Sequence, residues 1–183
     1  MRKVFIGVAV LTLLMSGSNV YAVDDSALLL SDQQIAMVRH NCVPAQAGLE
    51  RIHATDGLLR VNLVQQFESI SSRLMTPMNG RIAVNKLDGI ELAKTTVDFN
   101  KEINTFRTRY QDYEQTVASA IQINCADQPV DFYDTVVSAR NKRSSVRESF
   151  VKLQGYVKQY SDQFSVFSAK LQMTQKSGGR NGS

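Results

Sequence analysis

The stretch FNKEINTFRTRYQDYEQTVASAIQIN, residues 99–124, decides the fold. Its bulky apolar side chains fall at Phe99, Ile103, Phe106, Tyr110, Tyr113 and Val117, with Ala120 and Asn124 closing the series. Steps of four and three alternate without a slip, the heptad spacing that keeps one stripe of a helix against partner helices. This predicts a long helix that ends at Cys125.

Downstream the rhythm resumes. Phe132, Val136, Ala139, Arg143, Val146, Phe150, Leu153, Val157, Tyr160, Phe164, Phe167 and Leu171 make a second seam. It holds over about 40 residues, which is roughly 60 Å of helix at 1.5 Å per residue. Ala126-Asp127-Gln128 forms a tight connection ahead of it, and Pro129 suits the first turn of the new helix. Upstream, a third seam runs Leu49, Ile52, Asp56, Leu59, Leu63, Phe67, Ile70 and Leu74, in a helix expected from Pro44 to Met75. Thr76-Pro77-Met78-Asn79-Gly80 reads as the turn that ends this helix, because Asn-Gly accepts positive φ and proline lacks the helical donor. Residues 81–89 are ambiguous between a weak helical turn and a break at Asp88-Gly89. Ser31 caps a short helix before Pro44, with Asp32 favourable in its first turn.

Short connections between long helices make neighbours antiparallel. The expected fold is all-α: an elongated antiparallel three-helix bundle, up-down-up, with coiled-coil packing and a short N-terminal helix. Residues 44–175 form the bundle, residues 23–43 a lead containing the short helix, and residues 176–183, rich in Gly and Ser, a disordered tail.

Residues 1–22 read differently. Arg2 and Lys3 precede an apolar run from Val4 to about Met15, then small and polar residues, then Val20-Tyr21-Ala22. That order is a secretory signal peptide cleaved after Ala22. The run is about 12 residues, whereas a bilayer span takes about 20, so no stable membrane span is expected after cleavage. The chain is thus placed outside the cytoplasm, secreted or periplasmic. There, Cys42 and Cys125 read as one disulfide. The topology agrees, since the start of the first long helix and the end of the second share one end of an up-down-up bundle.

The whole chain has 21 basic and 17 acidic residues, a net charge of +4; without Arg2 and Lys3 the balance is 19 against 17, or +2. So mild an excess argues against nucleic acid as a partner.

Two seam positions are charged. Asp56 and Arg143 stand at similar heights on helices expected to run parallel, and Tyr110 falls near the same level. A buried polar layer of Asp56, Tyr110 and Arg143 is the expectation, because an unpaired charge on a seam is costly while a paired one fixes register. Arg140, Lys142 and Arg147 continue a basic patch beside it that could grip an anionic surface.

Catalytic and metal signals are weak. Glu50-Arg51-Ile52-His53 has the Glu-x-x-His spacing of di-iron bundles, which need two such motifs. His40 is the only other histidine, and no glutamate stands three residues before it. No Cys-x-x-Cys-His and no glycine-rich phosphate loop occur. No metal, cofactor or catalytic residue is assigned.

The reading is a non-enzymatic, extracytoplasmic helical protein that binds or scaffolds a protein partner or a cell-envelope component. Homo-oligomers are compatible with it, because heptad seams do not by themselves dictate strand number. In size, export, charge and long helices the chain also resembles periplasmic holdase chaperones in outline. That resemblance implies apolar surface between splayed helices.

Overall fold

The computed structural model describes residues 30–178, and no strand occurs among them. The helices are α1 (Asp32–His40), α2 (Cys42–Ile70), α3 (Thr76–Val84), α4 (Ile90–Gln122) and α5 (Pro129–Gly178), with one π-helical segment (Ser71–Met75) between α2 and α3. The expected signal peptide (1–22) and the first part of the lead (23–29) lie outside the described residues. So does the tail from 179; the α5 backbone continues to Gly178, past the boundary expected at 176.

Ser31 starts α1 through a capping box. Its hydroxyl accepts from the Gln34 N–H, and the Gln34 side chain accepts from the Ser31 N–H. Asn41 closes α1, its side chain donating to the Met37 carbonyl at 2.9 Å. The next helix then begins at Cys42, two residues before the expected Pro44. Proline fits there because the first-turn N–H groups of a helix have no intrahelical acceptor.

The expected turn at 76–80 is corrected: those residues are helical. The π segment explains how the chain passes Pro77. In an α-helix its ring would clash with the carbonyl four residues back. Here the Thr76 N–H reaches five residues back to the Ser71 carbonyl, and Pro77 falls in the first turn of the resumed helix. The extra residue also rotates the seam. Leu74, expected inside, is exposed, while Ser71, Met75 and Ile82 are buried.

The true break comes at 85–89. The Leu87 N–H bonds to the Ile82 carbonyl and the Lys86 N–H to the Ala83 carbonyl, both at 3.0 Å. This is a Schellman closure around Lys86, whose φ is 56°. At the far end of α4, Ile123 adopts an extended backbone and ends the helix before Cys125. Asn124 consequently leaves the seam and builds the connection, its side chain bonding to the Ala126 N–H at 3.2 Å and to Asp127 at 2.6 Å.

The core follows the α4 seam. Phe99, Ile103, Phe106, Tyr110, Tyr113, Val117 and Ala120 are all buried. Phe67 meets Phe99, Phe106 and Phe150 edge-on, with ring centroids 6.0, 6.1 and 5.9 Å apart. α4 packs extensively on α5 and less so on α2. Hydrogen-bonded and ion pairs set the directions: as α2, the π segment and α3 ascend from Gln46 through Asp56, Glu68 and Ser71 to Asn79, their α4 partners descend from the Ile121 carbonyl through Tyr113, Arg107 and Asn100 to Thr96. α5 runs against α4 likewise, from Lys142 on Thr116 to Gln163 on Thr95.

Candidate functional site

Cys42 and Cys125 are joined in a disulfide with Cα atoms 5.5 Å apart, across 83 residues of sequence. Phe132 is buried against it, and Val38, Leu49 and Val136 pack around it. The last carbonyls of a helix have no internal donors. Gln46 supplies one from α2, its amide donating to the carbonyls of Ile121 at 3.1 Å and Ile123 at 2.8 Å.

Three turns further along α2 lies a charged layer. Asp56 is buried, and its Oδ2 accepts a 2.7 Å bond from the Tyr113 hydroxyl. The Arg143 guanidinium stands 3.9 Å from the same oxygen while its side chain stays 60% exposed. A long stem along the helices with the head in water gives that combination. Tyr110 is buried beside the layer, its ring 5.9 Å from that of Tyr113. Burial, with the Asp56 and Glu114 carboxylates nearby, pushes the Tyr110 hydroxyl up to about 12. Burial and the bond it donates to Asp56 push Tyr113 up as well. The hydrogen-bonding tyrosine is therefore Tyr113, one helical step from the residue expected. Tyr113 was on the seam already, so only the offset between antiparallel helices separated the two. On the outer side, Arg60 Nε and Glu114 Oε2 approach to 2.8 Å without hydrogen-bond alignment.

A second, uncharged layer surrounds the π segment. Tyr160 from α5 reaches Asn79 Oδ1 at 2.9 Å and the Met75 carbonyl at 3.3 Å. The Asn79 amide donates to Thr96 Oγ1 at 2.8 Å, and Ser71 donates to Asn100 at 2.6 Å. Nothing in the sequence pattern marked this layer, because Asn79 sits in an Asn-Gly pair that reads as a turn.

The expected basic patch is exposed on α5. Lys142 donates to Thr116 at 2.8 Å, and Arg140 and Arg147 make no ion pair among the described residues. Of the metal candidates, Glu50 and His40 are exposed and His53 is half-buried. Among the described residues no group of three or more His, Cys, Asp or Glu side chains could hold a metal ion. No helix among them is long and apolar enough to cross a membrane.

A groove of about 500 Å³ lies where α5 passes the start of α4. Leu87, Ile90 and Leu92 form one wall, and Val166, Phe167 and Leu171 the other. Compared with family models, curated proteins and solved structures, the chain matches none.

Proposed function

We propose that this chain is an extracytoplasmic binding or scaffolding protein, without enzymatic activity, whose helix sides engage a protein partner or cell-envelope component. Its helices are read as an up-down-up three-helix bundle closed at one end by the disulfide. The descending pairs between α2 and α4 and between α4 and α5 support that topology. The disulfide and the order of charge and apolar residues in 1–22 support export.

One observation carries the binding reading. α2 has more apolar circumference than its neighbours cover: Leu58 is 72% exposed and Val61 44%, one turn apart on the same side. Exposed aliphatic groups clustered on one helix face mark contact surfaces more often than scattered ones do. A photo-crosslinker at Leu58, compared with one at the exposed Lys101 on α4, tests it in the native envelope under non-reducing conditions. Position 58 is expected to give a discrete adduct with another protein and position 101 none. Equal crosslinking at both, or none at either, defeats the reading.

The apolar groove between α4 and α5 favours holdase activity as the second reading, since unfolded chains are gripped by such surfaces. Suppression of aggregation of a chemically unfolded reporter distinguishes it.

A further inference from the structure

We infer that the exposed end of α5 is a self-association surface, on which a second copy of this chain packs antiparallel about Val166. Thr95 of α4 is level with Gln163 of α5, the two side chains being 2.8 Å apart. Counting back at 1.5 Å per residue, Ile90, the first residue of α4, is level with about residue 168. α5 continues to Gly178, so roughly 15 Å of it runs beyond its partner helix. Of its apolar seam, Phe167 stands level with the start of α4 and Leu171 lies beyond it, and both line the groove. A heptad stripe that outlasts its partner can be covered by another helix of the same repeat.

The charge pattern says which helix. Asp162, Val166 and Lys170 stand at i, i+4 and i+8, on one stripe of α5, and all three line the groove. Val166 is 57% exposed. In an antiparallel pair about a two-fold axis, residues equidistant from the axis face each other. With Val166 on the axis, Asp162 of each copy faces Lys170 of the other, twice. The stripe is complementary to itself, as an isologous contact requires. Asp162 already binds Lys158 of its own helix at 2.6 Å through Oδ2, which leaves the other carboxylate oxygen for the second lysine. Ile90, 73% exposed and level with residue 168, stands within a turn of the axis and extends the apolar contact. A foreign helix would need the same order of charges to match; a second copy has it by construction.

The contact is short, so self-association is expected at about 10–100 µM rather than at nanomolar concentration. Sedimentation equilibrium of the purified protein with its disulfide intact is the measurement. The wild type is expected to move from monomer to dimer over that range. Val166→Asp is expected to weaken the dimer by tenfold or more. Asp162→Lys and Lys170→Asp alone should each weaken it by about tenfold, since each sets like charges opposite one another at two places. The double variant Asp162→Lys, Lys170→Asp restores both pairs and is expected to dimerise within about threefold of wild type. Circular dichroism of each variant verifies that the helices persist. A photo-crosslinker at Ile90 should join one copy to another through α5. A chain monomeric at all concentrations, a double variant as weak as the singles, or an Ile90 adduct solely with a different protein overturns the proposal. The first two results leave the Leu58 test of partner binding untouched.

Discussion

At one end of α4 the chain is tied to itself: Cys125 is bonded to Cys42, Gln46 bridges two terminal carbonyls, and Asn124 holds the connection to α5. At the other end α5 runs past the first residue of α4 and leaves an apolar groove beside the loop. Inside, the tied end holds a charged layer, Asp56 with Tyr113 and Arg143, while the open end holds a neutral one, Tyr160 with Asn79 and Thr96. The two ends show two ways of fixing the register of long helices, which the seam alone lets slide by a turn. One uses a covalent bond and a buried charge. The other uses amide and hydroxyl groups whose hydrogen bonds tolerate no such slide.

Removing the covalent tie should separate the ends most. Cys42→Ser with Cys125→Ser is expected to lower unfolding free energy by on the order of 4 kcal/mol, the value for closing a loop of this length in the chain-entropy account. Denaturant melts give the total, and amide exchange gives its distribution. Protection should fall in α1 and the first turns of α2 while the residues around Tyr160 keep theirs. Uniform loss along all helices would mean that the ends are not energetically distinct.

Alkaline titration probes the layers next. The hydroxyls of Tyr110, Tyr113 and Tyr160 are all raised by burial, and Asp56 adds to the first two only. A tyrosine whose folded value lies above its unfolded value, near 10, binds its proton more tightly when folded. Its contribution to stability is complete below pH 10 and is lost as pH rises from 10 through 12 for Tyr110. Each such group removes about 1.4 kcal/mol per pH unit within its window. Stability measured from pH 9 upward should therefore decline steeply above 10. Asp56→Asn is expected to bring ultraviolet titration of the tied-end tyrosines to lower pH and leave Tyr160 where it was. A parallel displacement of all three would contradict two separate layers.

Much of this contrast could be read in the amino-acid order, and the limits have physical causes. The α4 seam was legible because every turn commits a bulky residue inward, from Phe99 to Val117, and the buried set matches it. Asp56 and Arg143 stood out because a charge interrupts an apolar repeat. The open end did not announce itself. Pro77, Asn79 and Gly80 look like a turn, yet one π turn carries the helix past the proline, and Asn79 becomes a buried partner for Tyr160. The groove depends on where α4 starts, and that is set by the closure around Lys86, a residue type that gives no warning of positive φ.

The smallest effect tests that reassignment through its sign. Gly80 lies inside α3, an alanine Cβ there would meet nothing within 4 Å, and no glycine among the described residues has positive φ. In a helix interior glycine is about 1 kcal/mol worse than alanine, so Gly80→Ala should stabilise by up to that amount. Were 76–80 a turn with glycine at positive φ, the same change would destabilise by a similar amount or more. Gly89, just past the closure, supplies the opposite case within the same end. A Cβ there would fall 2.5 Å from the Cγ2 of buried Ile82, so Gly89→Ala is expected to cost about 1–3 kcal/mol. Denaturant midpoints moving up for position 80 and down for position 89 would place the break between α3 and α4 after Val84. Two downward shifts would return it to the Asn79-Gly80 pair and remove the helical seat from which Asn79 meets Tyr160.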